Sequence, residues 1–264
     1  MILPGDRPTR ADRQAADRRW ATWAVLGRLR RGTLLRALQR AADDLVRFSA
    51  GGPFLVSSSW GKDSALLLAA FSLALPRLES RAWVFHGRFE PVANPDMPAA
   101  RDAGLECWPE LRALYLEVVF RVPFIGGRWD EAAAEPEDMP PELGLVGANR
   151  RATGIRGAES RDRMTRQRVW GTTTANTCAP LTYLSDDDAY ALIASLDLPL
   201  PQSYACNFGG LLAQRSIRFD SLAGPEGVGH GRAAWERSYY GRELDALAAM
   251  TAKSQAAVSE HSTR

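Results

Sequence analysis

Apolar residues recur at helical spacing in the first fifty positions and then change to short continuous runs. Residues 8–31 alternate Arg, Ala and Asp around Trp20, Trp23, Val25 and Leu26, which predicts a basic helix. Gly32-Thr33 break and cap the chain, and Leu34, Leu38, Ala41, Ala42 and Leu45 then predict a second helix over 33–48 that docks on the core. Phe54-Leu55-Val56, bounded by Gly51-Gly52-Pro53, reads as a buried strand. Residues 65–75 are apolar on nearly every side and built of good helix formers, as in a helix lying on a sheet. Ala82-Trp83-Val84-Phe85-His86 is the next strand, ended by Gly87.

From 90 to 143 the pattern weakens. Leu114, Leu116, Val118, Val119 and Phe120 fit a helix or a strand equally, and residues 124–129 read as a turn. Residues 131–141, rich in Ala, acid and Pro, read as a surface loop whose length suggests a lid or an insertion. Residues 224–229 open a loop, and a helix is expected from about 232 to 256 with Trp235, Tyr239, Leu244 and Leu247 inward. The tail 259–264 is expected to fray. The boundaries that follow are a basic helical extension over 1–49, an α/β domain over 50–222 and a C-terminal helical extension over 223–264.

Composition narrows the setting. The chain has 264 residues, 45% hydrophobic and 24% charged, ordinary values for a globular protein. Three cysteines, Cys107, Cys178 and Cys206, give no C-x-x-C pair and no disulfide framework, and no apolar run approaches the ~18 residues of a membrane span. With no signal-peptide pattern at the N-terminus, a cytoplasmic protein without a membrane partner is expected. The net charge of +2 is uneven: residues 1–47 hold eleven Arg and five Asp, so this arm carries +6 and the remainder −4. Such an arm suits a polyanion such as DNA, or exposes its charge to solvent while its tryptophans pack on the body.

Chemistry concentrates between the first strand and its helix. A strand, a loop of small residues and a helix N-terminus place bare backbone N–H groups at one point, where an anion can sit. The loop is Ser57-Ser58-Ser59-Trp60-Gly61-Lys62-Asp63-Ser64. Of 33 Lys and Arg only Lys62 and Lys253 are lysines, so an Arg-using protein has put a compact ammonium in its tightest loop. The same residues also suit a plain serine-rich turn with Ser59 as the cap. Downstream, Thr153-Gly154-Ile155-Arg156-Gly157-Ala158-Glu159-Ser160-Arg161-Asp162-Arg163 reads as a loop running into a helix start. There Glu159 and Arg163 pair at i, i+4, and Arg156 is left free to reach a phosphate. In a third stretch Ser185 caps a helix with Asp186, Asp187 and Asp188 in its first turn and Tyr190 and Ile193 inward.

The loop lacks the Walker A spacing. It resembles instead the PP-loop, S-[small or aromatic]-G-K-D-S, of the N-type ATP pyrophosphatases and the phosphoadenylylsulfate (PAPS) reductase-like family. Trp60 stands where the commonest form has Gly. Gly154, Arg156, Glu159, Ser160 and Arg163 match that family's G-x-R-x-x-E-S-x-x-R signature, and the third stretch, 178–193, is similar to its P-[IL]-x-x-W-[ST]-x-x-D-V-W motif, with Tyr183 and Tyr190 in bulky positions. The resemblance covers residues 50–210. It implies an α/β fold, a mostly parallel sheet with helices on both faces, of the adenine nucleotide alpha-hydrolase-like, Rossmann-like kind.

Within the family the reductases carry a reactive Cys in a C-terminal E-C-G-[IL]-H segment, and no Cys follows Cys206 here. The branch implied is the one that splits ATP into AMP and pyrophosphate to adenylate an oxygen for sulfur insertion, nearest the enzymes of DNA phosphorothioation. That resemblance implies ATP bound by Ser57, Ser58, Ser59, Gly61, Lys62, Asp63, Ser64, Gly154 and Arg156, with His86 at its border. It implies Lys62, Asp63 and Arg156 as catalytic residues, Asp63 as a Mg²⁺ ligand, and Glu159, Ser160 and Arg163 on substrate or phosphate. Cys178 and Cys206 would be the sulfur relays, if they are more than buried thiols. Expected partners are a cysteine desulfurase, DNA and other DNA-modification proteins. The larger DndC-type members cluster cysteines around an iron–sulfur centre, but Cys206 supplies one ligand, so no cluster is expected. PAPS reductase-like chemistry, thiolation of RNA or a small molecule, and a nucleotide-binding subunit without turnover remain open.

Overall fold

Helix α1 (Arg10–Leu29) starts at a capping box in which Asp12 N–H donates to Thr9 Oγ1 (3.2 Å) and Thr9 N–H donates to Asp12 Oδ2 (2.9 Å). The computed structural model describes residues 1–125, 128–146, 150–217, 219–222 and 232–262. The expected loop at 224–229, Gly126-Gly127 and the last two residues of the tail lie outside the described residues. The chain turns at Arg30, two residues before the Gly-Thr pair, into α2 (Arg31–Ser49), whose Leu34, Leu38, Ala41, Ala42 and Leu45 are buried as the spacing predicts. α1 is fastened along its length. Asp12 Oδ1 accepts from the N–H groups of Asn207 (3.2 Å) and Gly209 (2.7 Å), and Arg19 donates to Gly210 O and Leu212 O. Trp23 stacks on Tyr190 with ring centroids 4.3 Å apart.

The chain divides into two compact units. The first holds Met1–Gly87, Asp96–Val118 and Met139–Phe219, and the second Arg88–Pro95, Val119–Asp138 and Asp220–Arg264. Residues 1–49, read from the sequence as an extension, thus belong to the first unit.

A six-stranded sheet organises the fold. Its strands are β1 (Phe54–Ser57), β2 (Ala82–Glu90), β3 (Tyr115–Arg121), β6 (Glu135–Pro136), β7 (Arg151–Ala152) and β8 (Thr177–Cys178), in the order β6-β3-β2-β1-β7-β8. β1 pairs parallel with β2 on one side (Ser57↔Phe85) and with β7 on the other (Val56↔Ala152), β8 continues parallel from β7, and β6 closes the edge antiparallel to β3. The fold class is therefore α/β with a mostly parallel sheet. The ambiguous run 111–120 resolves into a 3₁₀ turn (Pro109–Leu114) followed by β3.

Strand alternation decides what covers each face. Phe54 packs edge-on against Phe48 of α2 and Phe71 of α3 (Lys62–Ala74), each 0–2% exposed. Leu55 and Trp83, on the opposite face, cluster with Val146 and with Leu143 of the one-turn helix α5 (Pro141–Gly144). Between them in sequence lie α4 (Met97–Cys107) and the two-residue strands β4 (Phe124–Ile125) and β5 (Arg128–Trp129), which pair antiparallel within the stretch read as a turn. α6 (Arg161–Trp170) and α7 (Asp186–Ser195) follow, α7 packing on α1 and α3. In the second unit α8 (Arg232–Ser262) runs six residues past its expected end and buries Trp235, Tyr240 and Leu247. Tyr240 leaves helical geometry (φ −129°, ψ 26°), and this shifts the inward register away from Tyr239 and Leu244. Among the described residues no helix is long and apolar enough to cross a membrane.

Candidate functional site

The order β3-β2-β1 runs to one side of β1 and β7-β8 to the other, so the chain's connections diverge between β1 and β7. In open parallel sheets the crevice outside the strands' carboxyl ends at such a switch point is where ligands bind. Two sequence stretches meet there: 57–64 follows β1, and 153–163 follows β7.

The first stretch is a tight turn into α3. Ser58 N–H donates to Phe85 O (2.9 Å), and His86 Nδ1 lies 2.8 Å from Ser58 O. A carbonyl only accepts, so that ring nitrogen carries the proton, and His86, fully buried, positions the loop rather than lining it. Trp60 has φ +61°, a left-handed conformation glycine adopts without cost. Its indole is buried, with a hydrogen-bonded backbone and the space over Gly104 filled: a Cβ at Gly104 would meet the ring at 2.7 Å. Ser59 N–H donates to Ser64 Oγ (2.9 Å), Trp60 N–H to Ser58 Oγ (3.2 Å) and Lys62 N–H to the Tyr204 hydroxyl (3.0 Å). The N–H groups of Gly61, Asp63 and Ser64 have no hydrogen-bond partner among the described residues. Gly61 is the N-cap of α3 and offers no side chain, so nothing from the cap competes for them.

The second stretch closes on the first. Gly154 lies so near Asp63 that a Cβ would sit 2.9 Å from the Asp63 carbonyl oxygen. Arg156, 1% exposed, donates from Nε to Asp63 Oδ1 (2.6 Å), from Nη2 to Asp186 Oδ1 (2.7 Å) and from Nη1 to Leu184 O (3.5 Å), with Glu159 Oε1 3.8 Å from Nη2. Burial disfavours its charge, but Asp63 and Asp186 outweigh that and raise its pKa further. Lys62, 7% exposed, places Nζ 2.5 Å from Asp63 Oδ2. Arg163 pairs with Glu159 at the expected i, i+4 spacing. Lys62, Arg156 and Arg163 against Asp63, Asp186 and Glu159 leave a network of zero net charge.

These contacts occupy several of the residues expected at the site. Arg156 is not free for a phosphate: its fork is filled by carboxylates from two directions. Asp63 has a cation on each oxygen, so a dication could bind there only by displacing one, and the arrangement does not fit Mg²⁺ on Asp63. Among the described residues no group of three His, Cys, Asp or Glu is placed to hold a metal. Ser160 Oγ accepts from Arg163 N–H (3.1 Å) as the N-cap of α6, which accounts for it without a ligand. Cys178 and Cys206 are sealed at 0% exposure, and burial pushes the Cys178 thiol up to about 12 and the Cys206 thiol upward as well. A relay needs an accessible thiolate, so neither is placed to carry sulfur. Ser57 ends β1 opposite Phe85.

Two residues of the network escaped the sequence. Asp186 was read only as a helix-start acid, and Tyr204 was given no role. Charge in a capped first turn signals helix polarity, and nothing in its spacing announces a partner thirty residues upstream. Tyr204 is fully buried, and burial raises its pKa, so its hydroxyl stays protonated where it meets Lys62 N–H.

No family model and no curated protein sequence matches the chain. Among solved structures, the U34-tRNA thiolase NcsA from Methanococcus maripaludis, with its [4Fe-4S] cluster, is similar over 62% of this chain at 13% identity and a TM-score of 0.41. The chain spans 64% of that protein, less than two thirds of its length.

Proposed function

We propose that the chain is a PP-loop ATP pyrophosphatase of the PAPS reductase-like kind. It adenylates a substrate oxygen for sulfur insertion, with a nucleic-acid backbone, as in DNA phosphorothioation, as the acceptor. The observation that carries this reading is the meeting of the two motif stretches through Arg156 and Asp63, ninety-three residues apart, where the strand order reverses. A motif that served only as a helix cap has no need of that partner.

In this reading the acceptor oxygen attacks the α-phosphorus of ATP, the α–β anhydride bond breaks, and pyrophosphate departs with the bond's electrons. The unpartnered N–H groups of Gly61, Asp63 and Ser64 and the positive end of α3 hold the departing charge. Lys62 turns from Asp63 to the phosphates, while Arg156 keeps Asp63 from following it. The Ser58 and Ser64 hydroxyls, which accept from the N–H groups of Trp60 and Ser59, and the Ser59 hydroxyl, 3.2 Å from that of Ser64, give way to phosphate oxygens. The terminal sulfur of a persulfide then displaces AMP, leaving the acceptor joined to the carrier by an S–S bond, and a second thiol cleaves that bond, so the sulfur stays on the acceptor and the two thiols leave as a disulfide. Because Cys178 and Cys206 are sealed, a partner such as a cysteine desulfurase delivers that sulfur directly.

The test is pyrophosphate release from ATP by the intact chain and by Lys62→Ala, with acceptor oligonucleotide and without. Release that Lys62→Ala abolishes is expected. ATP binding with no release would identify a nucleotide-binding subunit, and preference for adenosine phosphosulfate over ATP would move the chain to the reductase branch. Transfer to RNA alone would make it an RNA thiolation enzyme.

A further inference from the structure

Away from the loop, α2 and the segment 180–188 enclose a cavity of about 240 Å³. Arg30 at the turn into α2 and Arg36 and Arg40 of α2 line it on one side, and Pro180, Tyr183 and Asp188 form the other wall. Arg30 is paired with Asp188. Arg36 donates to Thr33 Oγ1 (3.3 Å), and neither it nor Arg40 makes an ion pair among the described residues. Tyr183 is 62% exposed, an aromatic face turned to solvent in a segment otherwise buried at Leu181, Thr182 and Leu184. Three guanidiniums against one carboxylate, beside an exposed ring, is the chemistry that takes phosphates together with a flat base.

We propose that this cleft binds single-stranded nucleic acid, with Arg36 and Arg40 on its phosphates and a base stacked on Tyr183. The inference deepens the reading above, because it names the form in which the acceptor is held. A duplex keeps its bases stacked on one another, so an exposed ring is of use only to an unstacked base. The location is apt as well: the same segment lines the cleft with Tyr183, Leu184 and Asp188 and holds Arg156 through Leu184 O and Asp186. An acceptor in the cleft therefore lies against the segment that fixes the candidate site.

The experiment is fluorescence anisotropy of the intact chain with a short fluorescein-labelled oligothymidylate over a range of salt, with the matching duplex as competitor. Binding is expected, with the duplex competing poorly. Arg36→Ala/Arg40→Ala should reduce the slope of log K against log salt by about 1.4, at about 0.7 per phosphate neutralised on a single strand. Tyr183→Ala should weaken binding about ten-fold or more without changing the slope. All three positions lie at the surface, so unchanged circular-dichroism melts certify the variants as folded. Absence of binding by the intact chain, stronger binding of duplex than of single strand, or unchanged affinity and slope in the variants would each overturn the proposal. The reading above fails separately: a Lys62→Ala chain that still releases pyrophosphate refutes the pyrophosphatase and leaves the cleft standing. A Lys62→Ala chain that loses release yet keeps its oligonucleotide affinity supports both.

Discussion

Arg156 Nε lies 2.6 Å from Asp63 Oδ1, and the same guanidinium reaches Asp186 at 2.7 Å. One fully buried side chain thus ties the loop after β1 to the start of α7. Removing one partner of a buried ion pair leaves an uncompensated charge, which costs about 3–5 kcal/mol. Arg156→Ala is therefore expected to lower Tm by roughly 6 °C or more in a thermal melt. Arg156→Lys should recover only part of the loss, because a single ammonium cannot serve two carboxylates that the fork reaches in different directions. An Arg156→Ala chain as stable as the parent would show that the network contributes nothing.

Gly154→Ala tests the contact between the two stretches. The new methyl would fall 2.9 Å from the Asp63 carbonyl oxygen, a backbone atom that cannot swing away. A loss of about 1–3 kcal/mol is expected in urea unfolding, together with weaker ATP affinity, because the displaced backbone carries Asp63. Retained affinity at full stability would mean that the spacing between the stretches is not set by this glycine.

Trp60 opposes two effects of different size. Trp60→Gly relieves a left-handed backbone worth about 1–2 kcal/mol but deletes a buried indole worth about 3–5 kcal/mol. Net destabilisation of about 2 kcal/mol is expected, measured as a lower urea midpoint. A more stable Trp60→Gly chain would show that the ring packs poorly on Gly104.

The thiols make a chemical prediction. Iodoacetamide applied to the native chain should label Cys107, which is exposed, and spare Cys178 and Cys206, as peptide mass spectrometry would read. Sulfur transfer should survive Cys178→Ala and Cys206→Ala, and its loss in either would restore the relay. Stability should also fall in alkali. The folded chain keeps the Cys178 proton to about 12, above the ordinary 9.0, so between these values it binds more protons than the unfolded chain. The loss at pH 10 is about 1.4 kcal/mol from this group, and Cys178→Ala should flatten the difference between urea curves at pH 8 and pH 10.

Tyr204→Phe leaves Lys62 N–H without its acceptor. A loss of about 1 kcal/mol is expected in stability, with tighter rather than weaker pyrophosphate binding by calorimetry, since one more N–H then faces the anion. Weaker binding would assign the hydroxyl to the ligand instead.

Local pattern was enough to place the strand at 54–56, the helices of the first fifty residues and the cap at Ser185, because burial of one stripe and pairing within one turn are written in neighbouring residues. The run 111–120 was not legible, since a short apolar segment satisfies either period until a neighbouring strand selects one. The serine-rich loop with its rare lysine identified where chemistry could occur. What those side chains touch was decided elsewhere. Asp186 and Tyr204 reach the loop only because α7 and the segment after it pack over α3, and Arg156, free on paper, is claimed by carboxylates from opposite sides of the fold. Sequence spacing fixes partners within a turn or a strand, whereas a buried charge takes whatever opposite charge the packed chain brings within about 3 Å.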